Sequence, residues 1–165
     1  MQRCILVMGP SGVGKSSLAK AIAGHLNAAF IEGDDYHPPG NRAAMAAGRP
    51  LDDAMRRPWL LALAEAVRLS AMTRETVFAC SALKRSYRDI LRDRIGPLVL
   101  VYPQAPAAVI LARMQARDHF MPPAMLQSQL ATLEQPGADE AAIRLDMTRP
   151  LDETVAEAIR QLSAR

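Results

Sequence analysis

Residues 9–16 read GPSGVGKS, and this stretch decides how the rest of the chain is interpreted. It has the pattern G-x-x-x-x-G-K-S, which forms a loop around a polyphosphate when a strand precedes it and a helix follows it. Both flanks are present, since Cys4–Met8 is a short apolar run typical of a buried strand and Lys15–Leu26 carries apolar residues at helical spacing. The stretch therefore predicts a phosphate-binding loop in an α/β protein.

The residue types in this loop have separate physical roles. Glycines let backbone N–H groups turn inward without Cβ clashes, and the start of the next helix adds unpaired donors and a partial positive charge. Lys15 can reach the β- and γ-phosphates of ATP, and the Ser16 hydroxyl can ligate Mg²⁺. The nucleotide-binding residues expected here are Gly9, Ser11, Gly12, Val13, Gly14, Lys15, Ser16 and Ser17. The motif does not choose among a kinase, an NTPase switch and a motor, although 165 residues are few for a motor or a large switch.

Outside the loop, short apolar runs alternate with helical patterns. The runs that predict strands are residues 4–8, 28–31, 76–80, 98–102 and 142–146. The helical patterns cover residues 15–26, 59–72, 86–94, 106–117, 122–132 and 151–162. Apolar strands joined by helices favour a parallel sheet that is covered on both faces. We therefore expect one three-layer α/β domain over residues 1–165, with a parallel five-stranded sheet.

The bulk composition fits a folded, single-domain protein. Half of the residues are hydrophobic, 22% are charged and the formal net charge is only +3, which disfavours disorder. Aromatic residues make up 4% and like charges never run to five in succession, so we expect no nucleic-acid partner. No stretch is typical of a signal peptide or a membrane span. Cys4 and Cys80 lie in apolar runs, which favours reduced thiols in a cytoplasmic protein.

Polar residues follow the second predicted strand, at the edge where open α/β sheets bind their ligands. Asp34 or Asp35 could accept the proton of an attacking hydroxyl or hold a magnesium-bound water, and Asp34 is preferred because it follows Gly33 directly at the strand end. The alternative is a solvated acidic turn that caps a helix. His37 could hydrogen-bond a substrate hydroxyl or be only a loop residue, and Asn41 could line the same pocket.

Basic residues further along the chain could hold an acidic substrate. Arg56 or Arg57 could pair with a substrate carboxylate through two hydrogen bonds, or lie in solvent at a helix start. Lys84 follows the third predicted strand, and Arg88 reaches the mouth of the cleft if the next segment is a helix, with surface charge as the alternative. That strand ends without a Walker-B-type Asp, so we expect Mg²⁺ to depend on Ser16, phosphates and water, with Asp34 as a further candidate.

Residues 113–123 are predicted to form a mobile lid. Arg113 and Arg117 are four apart and share a helix face, and they lead into a segment with a histidine and two prolines. A lid that carries arginines can exclude water from the γ-phosphate and stabilise charge in the transition state. We expect Arg113 to bind the nucleotide and Arg117 to act in catalysis, the alternative being solvated arginines at the end of an amphipathic helix.

Several motifs resemble, in order and spacing, those of the gluconokinase family. They are residues 9–16, 32–34, 37–41, 48–51, 56–60, 80–84, 87–92, 113–120 and 133–136. The resemblance covers nearly the whole chain and implies a nucleoside-monophosphate-kinase-like fold with ATP:D-gluconate 6-phosphotransferase activity. It also implies Mg²⁺ dependence, gluconate as the small-molecule substrate and commonly a homodimer. It supports a place for Asp34 near the transferred phosphate and the lid at residues 113–123.

Two places depart from the family pattern, and three alternatives remain. Met55 stands at a position where the family has an acid, and residues 38–42 carry fewer basic residues than the family pattern does.

Shikimate kinase is the nearest alternative, but residues 81–83 replace its Gly-Gly-Gly turn. A nucleoside monophosphate kinase would carry an Asp-Gly-Phe-Pro-Arg segment, which the sequence lacks. A regulatory module without phosphotransfer is the third, and Lys15 and Asp34 argue against it. The sequence thus predicts ATP on the loop and an acceptor between Asp34, Arg56 and Lys84.

Overall fold

A parallel sheet crosses the part of the chain that the computed structural model describes, residues 1–116 and 123–165. Within these ranges its five strands are β1 (Cys4–Met8), β2 (Ala29–Glu32), β3 (Thr76–Cys80), β4 (Leu98–Gln104) and β5 (Ile143–Asp146). They pair in the order β2-β3-β1-β4-β5, and every pairing is parallel. The predicted parallel five-stranded sheet is therefore confirmed, each strand lying within two residues of its expected bounds.

Helices connect the strands and cover the sheet. They are α1 (Lys15–Leu26), α2 (Pro39–Ala46), α3 (Asp53–Ser70), α4 (Arg85–Ile95), α5 (Ala107–Gln115), α6 (Pro123–Thr132) and α7 (Leu151–Ser163). Short 3₁₀ turns occupy Gly33–Tyr36 and Ala138–Glu140. Across the described ranges, each helix is too short or too polar to cross a lipid bilayer.

The alternation of side chains along β1 divides the core into two parts. Ile5 and Val7 pack with buried residues of α1, α5 and α7, whereas Leu6 and Met8 pack on the other face against α3 and α4. The helical residues of the two parts are Leu18, Ile22, Ile110, Val155 and Ala158 on one face, and Leu60, Leu63, Val67 and Leu91 on the other. Successive strand residues point to opposite faces, so a strand that is apolar throughout requires helices on both. The three-layer architecture is confirmed.

The sequence pattern misses one helix and places the start of another too late. No helix was predicted between residues 26 and 59, yet α2 starts at Pro39, because the first turn of a helix does not need the N–H that proline lacks. The start of α3 was expected near Trp59 but lies at Asp53, because the Asp52 carboxylate accepts the N–H of Met55 at 2.7 Å and caps the helix. These two helices bring Asn41, Arg56 and Trp59 to the end of the sheet where β2 and β3 finish.

Candidate active site

The phosphate loop, residues 9–16, joins β1 to α1 and is built on glycines in left-handed conformations. Gly9, Gly12 and Gly14 have φ values of 140°, 81° and 103°, a region that side chains with a Cβ rarely adopt. A Cβ at Gly12 would lie 2.5 Å from Cγ of Met114, so α5 packs directly on the loop. The Lys15 ammonium donates to the carbonyl oxygen of Pro10 at 2.9 Å. The loop therefore has the backbone that the motif predicts.

Ser16, in the first turn of α1, donates its hydroxyl hydrogen to the carboxylate of Glu32 at the end of β2. The other oxygen of Glu32 accepts a long hydrogen bond, 3.5 Å, from the backbone N–H of Asp34. Hydroxyl and carboxylate oxygens are the hard ligands that Mg²⁺ prefers. Ser16 was expected from the sequence to ligate the metal, and Glu32 beside it is a further candidate that was not predicted. Its place at the carboxyl end of a strand beside the loop is a signal that could have identified it.

A cleft lies between the phosphate loop, the 3₁₀ turn after β2, and α6. The residues that line it include Ser11, Lys15, Asp34, His37, Met45, Pro50, Leu51, Arg56, Trp59, Ser81, Met125, Ser128 and Gln129. The structure thus brings together Lys15, Asp34, His37 and Arg56, which the sequence assigned to the nucleotide and the acceptor. The contribution of α6 was missed, because the sequence of that helix carries no residue pattern that distinguishes a cleft wall from an ordinary surface.

Asp34 and Asp35 are adjacent in sequence but are placed differently. Asp34 borders both the cleft and a second opening over the phosphate loop, and its side chain is 74% exposed. Asp35 is tied through its backbone, since its carbonyl oxygen accepts a hydrogen bond from Arg42 at 2.7 Å. Asp34 therefore lines both openings together with Lys15, whereas Asp35 is not among the lining residues of either, which favours Asp34 as the candidate proton acceptor.

His37 is a buried part of the cleft wall. Its ring stacks on Trp59, with 4.0 Å between the centroids and 18° between the planes. Burial lowers the pKa of His37, while the nearby Asp34 carboxylate acts in the opposite direction. Asn41 is also buried and contacts His37, with its Nδ2 atom 3.2 Å from Nδ1 of the ring. Asn41 was expected to contact substrate, and the structure places it against His37.

Trp59 combines a core position with a link to the turn after β2. It is 1% exposed, yet it also borders the cleft. Its indole N–H donates to the carbonyl oxygen of Gly33 at 2.7 Å. Because Gly33 precedes Asp34, this hydrogen bond helps to fix the position of the acidic turn relative to α3.

Arg56 and Lys84 flank the ring of Tyr87. Arg56 donates to the Tyr87 hydroxyl at 3.2 Å, and the Lys84 ammonium donates to both oxygens of Asp53 at 2.9 and 3.1 Å. Tyr87 donates its own hydroxyl hydrogen to the same carboxylate. The hydrogen bond with Lys84 lowers the pKa of Asp53, and the same bond raises the pKa of Lys84. Arg56 borders the cleft, whereas Lys84 lines an adjacent groove that Arg56 also reaches.

Arg88 was expected at the mouth of the cleft, and the structure contradicts this. Its side chain is 1% exposed, and it donates two hydrogen bonds to Glu140, at 2.8 and 2.7 Å. Its Nη1 atom donates to the carbonyl oxygens of Ala82, Leu83 and Glu134. These bonds satisfy the guanidinium inside the protein, so Arg88 is a structural residue that ties α4 to the 3₁₀ turn at Ala138–Glu140, and it is not a substrate ligand.

The predicted lid falls largely outside the described residues. Arg113, near the end of α5, donates to the carbonyl oxygen of Met147, which follows β5. Arg117, to which the sequence analysis gave a catalytic role, lies outside the described residues, as does His119. The nucleotide contact of Arg113, the role of Arg117 and the lid itself stay predictions.

Met55, the departure from the family pattern, contacts its neighbours through its backbone. Its N–H donates to Asp52 at 2.7 Å, and its carbonyl oxygen accepts from Asn41 at 2.9 Å. A change of side chain at this position leaves both hydrogen bonds available. The structure therefore places the departure at a position where the backbone makes the connection between α2 and α3.

Comparisons with known proteins find relatives along nearly the whole chain. Residues 4–136 match the family described as an AAA domain. The gluconokinase of Gluconobacter oxydans is 43% identical over 164 residues, covering 98% of this chain and 92% of that protein. The thermoresistant gluconokinase of Escherichia coli is 43% identical over 157 residues, covering 93% and 90%.

Solved structures that match this chain also include a gluconokinase. The crystal structure of a gluconokinase from Sinorhizobium meliloti has a TM-score of 0.90 and 44% identity, covering 98% of this chain and 92% of that one. Shikimate kinase from Aquifex aeolicus, with a TM-score of 0.61 and 15% identity, shares the fold. With identity above 40% over nearly the full length of its relatives, and a phosphate loop that faces an acidic strand end, this chain belongs to the gluconokinase family.

Proposed function

We propose that this protein is a gluconokinase, which transfers the γ-phosphoryl group of ATP to the 6-hydroxyl of D-gluconate and forms 6-phosphogluconate. The observation that carries the proposal is the cleft that Lys15, Asp34 and Arg56 line together. The names of the relatives supply the substrate. Among the alternatives, shikimate phosphorylation is supported only by structures that are 15% and 17% identical, which speak for the fold and not for the substrate.

The transfer can be assigned to groups of this chain. The gluconate hydroxyl oxygen forms a bond to the γ-phosphorus, the bond to the oxygen bridging the β- and γ-phosphates breaks, and the hydroxyl proton passes to Asp34. Lys15 and the N–H groups of the phosphate loop stabilise the negative charge of the phosphates. Gluconate carries its carboxylate at the end opposite to this hydroxyl, and Arg56 offers a guanidinium that can pair with it.

Magnesium fits the oxygen ligands at the start of α1. Ser16 and Glu32 are the residues that would hold it, since their oxygens already lie within hydrogen-bond distance of one another. When bound, the ion neutralises charge on the β- and γ-phosphates. The lid with Arg117, a homodimeric state and a cytoplasmic location stay predictions from the sequence.

Coupled measurement of ADP release tests the proposed function. The protein is supplied with ATP and Mg²⁺, and gluconate, shikimate and nucleoside monophosphates are added one at a time. We expect gluconate alone to stimulate ADP release strongly. Stimulation by another acceptor would reassign the substrate, and ATP binding without stimulation by any acceptor would favour the regulatory module.

A further inference from the structure

The ring of His37 is held in one orientation by the protein. His37 is 7% exposed, and its stacking on Trp59 fixes the plane of the imidazole. Trp59 is itself buried and hydrogen-bonded to the turn after β2. The stack fixes the plane of the ring, and within that plane Nδ1 lies beside Asn41 while Nε2 lies on the side of Asp34.

The neighbours of Asn41 determine which atom of its carboxamide is the nitrogen. One terminal atom lies 2.9 Å from the carbonyl oxygen of Met55, which can only accept a hydrogen bond. That atom must therefore be the NH₂ group. The same NH₂ group lies 3.2 Å from Nδ1 of His37, and because it can only donate, Nδ1 must accept. Nδ1 of His37 consequently carries a lone pair and no hydrogen.

The remaining proton of the neutral imidazole must then be on Nε2. This atom lies 3.8 Å from Oδ1 of Asp34, which is beyond direct hydrogen-bond distance, and both residues border the cleft. The charged groups that act on His37 are Asp34 from the turn after β2, Arg42 from α2 and Arg56 from α3. Burial and the two arginines oppose protonation of the ring, while Asp34 favours it, and the pKa of His37 is lowered.

We propose that Asn41 is a positioning residue, which holds His37 in the Nε2–H tautomer so that a neutral hydrogen-bond donor faces the substrate bound beside Asp34. The proposal rests on the proposed function for the identity of that substrate, a hydroxylated sugar acid. Asn41 thus acts through His37 and not by touching substrate. A neutral N–H can donate to a substrate hydroxyl oxygen without forming an ion pair with Asp34, which leaves the Asp34 carboxylate free to accept the hydroxyl proton.

Nuclear magnetic resonance tests the tautomer directly in the wild-type protein. The chain has three histidines, so a two-bond ¹H–¹⁵N correlation spectrum of the ¹⁵N-labelled protein contains three ring patterns, and His37→Gln identifies the one that belongs to His37. We expect the Nε2–H pattern near neutral pH, without substrate. An Nδ1–H pattern or a protonated ring for His37 would overturn the proposal, whatever the activity of the protein.

Two variants at position 41 test the consequence for the substrate. Asn41→Asp replaces the donor by a carboxylate of the same shape, which should move the His37 proton to Nδ1 or protonate the ring. Asn41→Ala removes the donor, so that the ring is no longer held in one tautomer. We expect the KM for gluconate to rise less than about 2-fold in Asn41→Ala, where the Nε2–H form stays at least half populated. It should rise roughly 3- to 10-fold in Asn41→Asp, which loses one hydrogen bond to the substrate. The KM for ATP should change less than about 2-fold in both.

The outcomes separate this proposal from the proposed function. If the wild-type protein shows the Nε2–H tautomer but gluconate gives no stimulation, the proposed function fails and the tautomer assignment stands. If gluconate is phosphorylated and Asn41→Asp moves the proton while the KM for gluconate stays unchanged, the positioning role is overturned. Equal changes in the KM values for gluconate and ATP in Asn41→Asp would indicate a general structural defect and would also overturn it.

Discussion

Ser11 in the phosphate loop and Gln129 in α6 are joined by two hydrogen bonds. The backbone N–H of Ser11 donates to Oε1 of Gln129 at 2.7 Å, and the Nε2 group of Gln129 donates to the Ser11 hydroxyl at 3.2 Å. An N–H group in this part of the loop is expected to bind a phosphate oxygen of ATP. Gln129 therefore occupies a backbone N–H donor that the nucleotide needs. The helix that carries Gln129, α6, follows the segment predicted to be the lid.

Removal of the Gln129 side chain should strengthen ATP binding, because the Ser11 N–H group is then available to the nucleotide. We expect Gln129→Ala to lower the Kd for ATP roughly 3- to 10-fold, which corresponds to the net free energy of one hydrogen bond. Isothermal titration calorimetry with a non-hydrolysable ATP analogue measures the effect. Gln127→Ala is the matched control, because Gln127 is exposed on the same helix. Weaker binding in Gln129→Ala would show that Gln129 stays in contact when the nucleotide is present.

The position of Asp34 in the cleft predicts different effects for two adjacent carboxylates. Asp34→Asn should reduce kcat by roughly 10²- to 10⁴-fold, the range typical of a lost general base, with little change in the Kd for ATP. Asp35→Asn is the matched control and should keep kcat within about 3-fold. The hydrogen bond that Asp35 accepts from Arg42 uses its backbone carbonyl oxygen, which the substitution leaves in place. Steady-state kinetics with gluconate give both values. Equal activity of Asp34→Asn and wild type would remove Asp34 from the catalytic role.

The sheet and the phosphate loop could be predicted from sequence because their signals are local. Each strand is a short apolar run, and the loop is a contiguous motif with its strand and helix on either side. The start of α3 was misplaced because Pro58 resembles a first-turn proline, whereas the capping hydrogen bond of Asp52 begins the helix at Asp53, six residues before Trp59. Proline lies inside that helix because the cap and the packing of Trp59 and Leu60 outweigh the one hydrogen bond it cannot make.

The roles of long polar side chains could not be predicted, because their partners are distant in the chain. Arg88 and Glu140 are 52 residues apart and pair inside the protein, while Ser11 and Gln129 are 118 apart. Nothing in the spacing of Arg88 distinguishes a helix-surface arginine from a buried one. Asn41 was expected to line the substrate pocket, but its contacts with His37 and with the carbonyl oxygen of Met55 arise only in the folded chain.

Close packing behind the turn after β2 predicts that Gly33 cannot be replaced. A Cβ at Gly33 would lie 2.3 Å from the carbonyl oxygen of Ala79 in β3, so the turn that carries Asp34 must move. We expect Gly33→Ala to reduce the free energy of unfolding by roughly 1–3 kcal/mol and to lower kcat/KM for gluconate. Denaturant unfolding measures the first quantity and the coupled assay measures the second.

The matched control for this change is Gly24→Ala. Gly24 lies inside α1, and a Cβ there meets no atom within 4 Å. Alanine loses less backbone entropy than glycine in a helix, so Gly24→Ala should raise the free energy of unfolding by roughly 0.5–1 kcal/mol. A Gly33→Ala protein as stable and active as wild type would mean that β3 gives way to the added methyl group.

The ion pair between Arg88 and Glu140 predicts a pH-dependent contribution to stability. The hydrogen bond from Arg88 is the main cause that lowers the pKa of Glu140 from 4.5 to about 2. A carboxyl group with a lowered pKa in the folded state contributes stability above its unfolded pKa, and the contribution is lost as the pH falls toward the folded pKa. We expect Glu140→Gln to reduce the free energy of unfolding by roughly 3 kcal/mol near neutral pH. The difference from wild type should narrow between pH values of about 4.5 and about 2.

Glu157 provides the matched control for burial. Its pKa is also lowered to about 2, chiefly by a hydrogen bond from Arg160, but this pair lies at the surface of α7. Salt screens exposed charges much more than buried ones, so added salt should abolish the small effect of Glu157→Gln and leave the effect of Glu140→Gln nearly unchanged. Urea unfolding of both variants at low and high ionic strength measures this. Equal salt sensitivity of the two variants would indicate that water reaches the Arg88–Glu140 pair, and burial would then not explain the larger effect of Glu140→Gln.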